Sequence, residues 1–366
     1  MRPLMPTLVF LCSCAPASSD RAIWLRHQIV AENMLWLPRN PDGLAAKYQK
    51  MAADPYDYMR GTAGTYYVDL TRTADIREET VFLNTPEANQ ILLIGDAHPE
   101  NVGTMLPGDA RPPFDDREVV VTFNDLDASI YGPWLLDLRR SAVGVAVLTL
   151  GLAGCDDGCR GAIRDAQIDG YRAGALGDPR PTDVGEVIVD MVEEAEEEGP
   201  AQDKLLRYTT LDDNDQRVLI FDQDLDEDGQ AIFPLSDAER AQVDRLMADY
   251  PKPDGFRLLD VGRRFGSGVS SLPATRYIIV WDQGDPDDAD DRLLNVREVL
   301  DPPAVGRLFA ETGDRFIDNA DRIEAVSAHV WAPDDADGAA AGMRDEPLAF
   351  KALSWTSWFQ DLDHED

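Results

Sequence analysis

The sequence is short of positive charge. Its 366 residues include 34 lysines and arginines against 69 aspartates and glutamates, which gives a formal net charge of −35. Such a surplus repels nucleic acids and anionic lipid surfaces. We therefore expect no nucleic-acid partner, and we expect the acidic runs next to Gly and Pro to be solvated loops. The hydrophobic content of 44% is sufficient for one large domain or for two lobes that each have a core.

Histidine and cysteine are also scarce, with four residues of each. Cys155 and Cys159 are about one helical turn apart, and a turn separates Cα atoms by about 6 Å, within the range that a disulfide can bridge. An oxidising compartment would allow that bridge, and the sequence leaves open whether it forms. No histidine is spaced to complete a tetrahedral zinc site with this pair.

Long apolar runs are missing, since no segment reaches the ~18 residues of a transmembrane helix. Residues 1–19 begin with a positive charge and a short apolar stretch, which is typical of an export signal. The end of this segment, Leu-Cys-Ser-Cys-Ala-Pro (11–16), looks like a bacterial lipoprotein signal in which Cys14 is lipidated after cleavage. We expect a periplasm-facing envelope lipoprotein whose only membrane contact is this anchor. An ordinary signal peptide, or a mis-called start codon and a cytoplasmic protein, are the alternatives.

One acidic run copies a known cation site in part. Residues 224–229 match the first half of an EF-hand calcium loop, but Leu235 stands where a bidentate Glu is required. We interpret the run as an acidic hairpin turn between strands at 217–221 and 231–233.

Two short apolar runs end in acidic residues. Residues 90–94 lead into Gly95 and Asp96, and residues 119–123 lead into Asn-Asp-Leu-Asp (124–127). We expect the two strands to deliver their carboxylates to one edge of a small sheet, where a metal or phosphate site would be built.

The rest of the chain divides into a helical part and a strand-rich part. Helices are predicted at 56–73, 134–152, 160–175, 184–198 and about 303–330. Strands are predicted at 256–261, 276–281, 293–299 and 349–353. We therefore expect an α+β fold with a helix-rich lobe at 20–252 and a strand-rich lobe at 253–366.

The acidic loops have the spacing of a phosphoryl-transfer site. Asp96 and Asn101 are five residues apart, as are the catalytic Asp and the metal-binding Asn of kinase catalytic loops. Asp125 follows the next strand, like the carboxylate that holds the magnesium ions. An isolated Asp-x4-Asn pair arises often by chance, so the longer series carries the argument.

That series is Gly-Asp-Ala-His-Pro-Glu-Asn (95–101), a strand, Asp125, and Gly-Pro-Trp-Leu-Leu-Asp-Leu (132–138). It resembles the kinase-like small-molecule phosphotransferases of the aminoglycoside and choline kinase group. More closely, the chain is similar to the bacterial family catalogued as domain of unknown function 2252. This similarity runs from Lys-Met-Ala (50–52) to Leu-Leu-Asn-Val-Arg-Glu (293–298) and covers most of the mature chain.

The resemblance implies roles for several residues. Asp96 would be the catalytic carboxylate, and Asn101, Asp125 and Asp127 would bind Mg²⁺ together with a nucleoside triphosphate. Asp137 would orient the catalytic loop, although a helix N-cap or a pair with a neighbouring arginine would also account for it.

His98 and Arg60 are predicted to support the loop. A His98 ring hydrogen-bonded within the loop is favoured over a metal ligand. Arg60 is either an internal partner of the acidic site or a surface arginine.

The strand-rich part contains a Gly-rich hairpin. Gly266, Ser267 and Gly268 could lay backbone amides against phosphates, or they could form only a turn. Arg297 stands where the family pattern has a phosphate-pairing lysine, and Glu311, Glu324 or Asp125 would be its partner. A guanidinium fork does not reproduce a compact ammonium.

Because this hairpin follows the catalytic loop in sequence, we expect a circularly permuted, two-lobed protein-kinase-like fold. The predicted function is metal-dependent phosphoryl transfer to an unknown hydroxylated small molecule. The replacement of lysine by Arg297 and the export signal favour an alternative, a catalytically inactive envelope lipoprotein that acts as a binding module. Clustered carboxylates that bind metal would also suit a hydrolase.

Overall fold

The computed structural model describes residues 20–82, 85, 87–105, 119–177, 185–198, 202–221, 230–252, 255–282, 291–331, 340–354 and 358–361. The predicted signal segment, Cys14 and the EF-hand-like run lie outside these residues. Within them the fold is α+β, as expected, with eleven α-helices and thirteen strands. None of the described helices is long and apolar enough to cross a membrane.

The helices are α1 Asp20–Asn33, α2 Pro41–Ala53, α3 Pro55–Gly61, α4 Ala63–Arg72, α5 Ala74–Phe82, α6 Leu135–Gly151, α7 Asp157–Ala175, α8 Glu186–Glu198, α9 Gln202–Tyr208, α10 Asp237–Asp249 and α11 Asn319–Trp331. The strands are β1 Ile91–Leu93, β2 Val102–Met105, β3 Val120–Phe123, β4 Ile130–Gly132, β5 Thr209–Leu211, β6 Arg217–Leu219, β7 Ala231–Phe233, β8 Arg257–Phe265, β9 Arg276–Asp282, β10 Arg292–Val299, β11 Ala341–Asp345, β12 Leu348–Ser354 and β13 Trp358–Asp361.

The main sheet has six antiparallel strands in the order β11-β12-β10-β9-β8-β7. Every residue of β9 is buried, so the sheet is covered on both faces. Alternate residues of a strand point to opposite faces, and Ile278 and Ile279 accordingly belong to two different hydrophobic clusters. The Ile278 cluster includes apolar side chains of α11, and the Ile279 cluster includes those of α10. Strand β7 of this sheet and helix α10, which packs against it, both come before the lobe boundary predicted at residue 252.

Strands β1 to β4 form two nested pairs. The inner strands β2 and β3 pair with each other, and β13 pairs with the other edge of β2, while the outer strands β1 and β4 form a separate two-stranded sheet. The expectation that the two apolar runs share one sheet is therefore wrong. The nesting nevertheless brings the two connecting loops together, because one loop joins β1 to β2 and the other joins β3 to β4.

Three other sequence predictions need correction. The helix expected at 56–73 is divided into α3 and α4, and only the last part of the helix expected at 303–330 forms, as α11. Gly306 has a φ of 68° and the backbone of Glu311 pairs with Tyr131, so this part of the chain is drawn into an extended contact instead of a helix. The predicted hairpin between 217–221 and 231–233 is also wrong, since β6 pairs with β5 and β7 pairs with β8.

The cysteine pair, which the sequence left open, is a disulfide with a Cα–Cα distance of 5.2 Å. It lies at the start of α7, where the side chain of Asp156 caps the helix by accepting from the backbone N–H of Cys159.

Arg322 joins three parts of the fold. This α11 side chain is fully buried and donates to the backbone carbonyl oxygens of Ser129 and Leu300, each at 3.0 Å, and to the side chain of Asn319 at 3.1 Å. Burial lowers the pKa of Arg322 to about 10, although nearby carboxylates, with Asp127 the largest contributor, oppose the shift.

Replacing Arg322 with Met should lower the free energy of unfolding by roughly 2–4 kcal/mol, because it leaves two buried carbonyl groups without their donor. Urea denaturation followed by tryptophan fluorescence measures this change. The matched control is Arg344→Met, which removes an ion pair to Asp318 from a side chain that is 38% exposed and should change stability by less than about 1 kcal/mol. Equal effects of the two substitutions would contradict the role of Arg322.

Candidate functional site

The two acidic loops between the nested strands lie side by side. The backbone N–H of Asn124 donates to the carbonyl oxygen of Asn101 at 2.9 Å, and the Ser129 hydroxyl donates to the carbonyl oxygen of Ile94 at 3.3 Å. Gly95 permits this approach, because it has a φ of 83° and a Cβ added there would lie 1.9 Å from a carbonyl oxygen in the other loop. Only glycine suits this backbone conformation and this spacing.

A cavity of about 490 Å³ lies between these loops, the Gly-rich hairpin and the main sheet. Its wall includes most of the site residues predicted from the sequence: Arg60, Asp96, His98, Asn101, Asp125, Asp127, Ser267, Gly268 and Arg297. Gly266 belongs to the hairpin and Asp137 contacts the Asp96 loop, but neither residue lines the cavity. Residues from distant parts of the sequence therefore converge on one site.

Asp96 is held by a buried arginine. Its Oδ1 accepts from Nε of Arg140 at 2.6 Å, and Nη2 of Arg140 also donates to the carbonyl oxygen of Met59 at 3.0 Å. Burial opposes the charge of Arg140, but the carboxylate of Asp96 outweighs burial and raises the pKa of the guanidinium. The sequence suggested Arg140 only as a partner of Asp137, because the distance between α6 and the loop could not be read from spacing.

Asp137 orients the Asp96 loop through the backbone. Its carboxylate accepts from the N–H of Ile94 at 2.7 Å and of Gly95 at 2.9 Å. Neighbouring Arg139 instead contacts Glu79 and residues of α5. Burial raises the pKa of Asp137 to about 6 even though the two backbone hydrogen bonds oppose the shift.

Asn101 and His98 brace the same loop. The Asn101 side chain donates to the carbonyl oxygen of Asp96 at 2.7 Å. His98 lies beside Tyr56 of α3, with 3.5 Å between Nδ1 and the phenol oxygen, so its partner comes from outside the loop. Burial lowers the pKa of His98 to about 4, and the ring is neutral at pH 7. Arg60 is an internal partner, since it forms an ion pair with Glu100 and lines the cavity.

Asp125 and Asp127 share two cations from the main sheet. Nη2 of Arg297 lies 2.6 Å from Oδ1 of Asp125 and also contacts Asp127. Nζ of Lys351 lies 2.5 Å from Oδ1 of Asp127 and 3.5 Å from Asp125. Burial raises the pKa of Asp125, but the charges of Arg297 and Lys351 outweigh it and hold that pKa well below its usual range. Of the three partners predicted for Arg297, Asp125 is confirmed, while Glu311 accepts from the Gln90 side chain.

Sequence reasoning missed Lys351. It lies opposite Arg297 in the register of β12 and β10, which cannot be known before the strands are paired. The available signal was a single lysine within the apolar run 349–353, a position that a buried strand rarely gives to an unpaired charge.

Lysines of α2 hold the Gly-rich hairpin above the cavity. Nζ of Lys47 donates to the carbonyl oxygen of Ser270 at 3.2 Å, and Nζ of Lys50 donates to that of Gly266 at 3.3 Å. Lys47 is buried, and burial lowers its pKa to about 8 although the charge of Glu32 opposes the shift. Sequence reasoning missed Lys47 as well. Its spacing along α2 places it on the same helix face as the core residues of that helix.

The carboxylates of Asp96, Asp125 and Asp127 are each paired with a protein cation. Among the described residues, no group of three or more histidine, cysteine, aspartate or glutamate side chains is arranged to hold a metal ion.

Of the comparisons with known proteins, one gives the family and two find no match. A family model described as DUF2252, uncharacterized protein conserved in bacteria, matches residues 39–332. This range contains both acidic loops, the hairpin and Arg297. No curated protein and no solved structure matches the chain.

Asp137→Asn should flatten part of the pH dependence of stability. Because the folded protein raises the pKa of Asp137 from 3.8 to about 6, its contribution is full below about pH 4 and is lost as pH rises through about 6. The stability difference between wild type and variant should therefore change by about 2–4 kcal/mol across that window. Urea unfolding at several pH values measures it. Asp165→Asn, at an exposed position, is the control, and parallel curves for wild type and Asp137→Asn would contradict the prediction.

Proposed function

The chain belongs to the bacterial family DUF2252, and we propose that it is a kinase-like, metal-dependent phosphotransferase acting on a small hydroxylated molecule. One observation carries the proposal. The same cavity is lined by the Asp96 loop, by Asp125 and Asp127, and by the Gly-rich hairpin. These are the three parts that phosphoryl transfer needs: a group that orients the acceptor, charge near the phosphates, and a backbone that holds them.

Asp96 would orient the acceptor hydroxyl. Phosphoryl transfer depends on positioning and electrostatic stabilisation more than on a strong base, so an aspartate fixed by Arg140 suits this role. Asp137 and Asn101 would keep the Asp96 backbone in place through the contacts described above.

The donor set fits a magnesium ion bound together with phosphate. In phosphoryl-transfer sites Mg²⁺ is usually held by one or two carboxylates plus substrate phosphates, without a protein cage. Asn101 and Asp125 would hold it here, with Asp127 as a further ligand, and the ion would neutralise phosphate charge. Gly266, Ser267 and Gly268 of the hairpin would contact the nucleoside triphosphate. Arg297 and Lys351 would then be shared between the carboxylates and the phosphate oxygens.

We further propose that the fold is a circularly permuted version of a two-lobed kinase-like fold, with residues 20–252 as the catalytic lobe and 253–366 as the nucleotide lobe. In its favour, the β8–β9 hairpin, the Arg297 strand β10 and helix α11 all follow the two acidic loops in the sequence. The two parts share one hydrophobic cluster that contains Leu126 from the acidic loop and Val280 from the sheet.

A second candidate is a catalytically inactive envelope lipoprotein that uses the cavity only for binding. The observation that favours it is the pairing of each candidate carboxylate with a protein cation: Asp96 with Arg140, and Asp125 and Asp127 with Arg297 and Lys351. The disulfide at the start of α7 also fits an oxidising, exported location.

Asp125→Ala should abolish the magnesium-dependent part of ATP binding, because it removes the carboxylate that would hold the metal ion. Asp96→Asn should retain ATP binding and lose at least ~10²-fold in transfer rate, because its carboxylate acts on the acceptor. Thermal shift with ATP, with and without magnesium, measures binding, and phosphate transfer from ATP to a panel of hydroxylated small molecules measures rate. Asp157→Asn is the control, since that side chain is 100% exposed.

The inactive binding module gives a different pattern. The wild type would show no magnesium-dependent ATP stabilisation and no phosphate release from ATP or other common donors. Both site variants would then change only thermal stability. That result would remove the enzyme proposal.

Export is tested separately. Cys14 lies outside the described residues, and we expect it to carry lipid in the cell as the first residue of the mature protein. Metabolic labelling with a palmitate analogue should mark the wild type and not Cys14→Ala. Equal labelling of both proteins would refute lipidation at this position.

A further inference from the structure

Three cations form a row across one face of the main sheet. Arg297 of β10 lies opposite Arg276 of β9 on one side and opposite Lys351 of β12 on the other. Directly opposed residues of neighbouring strands share a face with Cβ atoms about 5 Å apart, and like charges in such positions repel. All three side chains are buried and line the cavity. The row is therefore stable only if anionic groups compensate it.

Among the described residues, carboxylates form ion pairs with two of the three cations in the row. Asp125 and Asp127 form ion pairs with both Arg297 and Lys351, so two carboxylates balance two cations. Arg276 has no carboxylate within ion-pairing distance among the described residues. Its Nη2 donates to the neutral hydroxyl of Ser271 at 2.7 Å.

Arg276 is also an enclosed positive charge on the hairpin side of the cavity. It is 4% exposed, and burial together with the charges of Arg297 and Arg264 lowers its pKa, against weaker opposition from the two aspartates. Burying a charge without an ionic partner is costly. A negatively charged ligand would supply an ionic partner for this cation at the cavity wall.

The guanidinium of Arg276 lies next to the hairpin and on the same cavity wall as Lys47. Nη2 of Arg276 lies 3.4 Å from the point where a Cβ of Gly268 would be, and Gly268 has a φ of 74°. The side chain therefore lies directly beneath the backbone of the hairpin. Lys47 enters the same wall from α2, where its ammonium group contacts the Ser270 carbonyl oxygen.

We propose that Arg276 anchors an oxyanion subsite beneath the Gly-rich hairpin, which takes a phosphate group of the ligand without a metal ion. A guanidinium fork matches two phosphate oxygens, and a phosphate carries the multiple negative charge that suits Arg276, Arg264 and Lys47 together. The inference rests on the proposed function for the choice of a phosphorylated ligand. It assigns the anchoring role to Arg276, whereas the charge of Arg297 is already shared with carboxylates.

The experiment measures pyrophosphate binding in excess EDTA, by titration calorimetry and thermal shift, at constant ionic strength set with sodium chloride. The wild type should bind, and Arg276→Gln should weaken binding by ~10-fold or more, because charged hydrogen bonds are lost. Without pyrophosphate, Arg276→Gln should unfold at the same or a higher temperature, since it removes an uncompensated buried charge. The control is Arg257→Gln on the same sheet, whose side chain is 63% exposed and paired with Asp282, and it should bind like the wild type.

A wild type that does not bind pyrophosphate in EDTA would overturn the proposal, as would unchanged affinity in Arg276→Gln. If Arg276→Gln does not fold, Arg276→Lys decides, because it keeps the charge and loses the fork. Reduced affinity in that variant supports the subsite, and unchanged affinity contradicts it.

The outcomes for the subsite and for the enzyme are separable. Metal-free binding that depends on Arg276, together with an absence of phosphate transfer, would keep the subsite and remove the enzyme proposal. Magnesium-dependent transfer with an unchanged KM for ATP in Arg276→Gln would do the reverse.

Discussion

The row of cations on the main sheet and the two aspartates that face it hold the site together. Arg297 and Lys351 belong to β10 and β12, while Asp125 and Asp127 belong to the loop after β3. Between the aspartates, Leu126 is 1% exposed and packs in the core beneath the sheet. The loop is thus fixed by an apolar side chain and by four partly buried ion-pair contacts. Removing one partner of such a cluster leaves an uncompensated charge, which is far more costly than losing a surface pair.

This cluster places buried cations beside carboxylates within a strongly acidic chain. The net charge of −35 describes the whole molecule and disfavours extended polyanions such as nucleic acids. The cavity wall carries both signs of charge. Its cations are Arg60, Lys47, Arg264, Arg276, Arg297 and Lys351, and its carboxylates are Glu32, Asp96, Glu100, Asp125, Asp127, Glu298 and Asp301. A small phosphorylated molecule that enters the cavity would meet these cations at close range, where low solvent exposure strengthens their interaction with an anion. The net charge of the molecule and the charges that line the cavity are therefore separate properties.

Much of the local structure could be predicted from the sequence, and the errors have a common cause. The apolar runs before Asp96 and Asp125 are strands, and the long apolar stretch after Gly132 is helix α6, because periodicity and breakers act over a few residues. The sheet assumed to contain both runs was wrong, since strand pairing depends on distant segments. The helix expected from residue 303 failed for the same reason, as pairing between Glu311 and Tyr131 overrode the local helical pattern.

The sequence by itself determined the family, the α+β class, the two acidic loops and the Gly-rich hairpin, because each is written in a continuous stretch of residues. Tertiary structure decided which charges meet. Arg140 reaches Asp96 from α6, Lys351 reaches Asp127 from β12, and Arg276 donates to the Ser271 hydroxyl beneath the hairpin. These contacts depend on strand register and on helix position, and a shift of one residue in a strand turns each side chain to the opposite face. No spacing in the sequence contains that information, which is why the pairing of the charges could be found only in the folded chain.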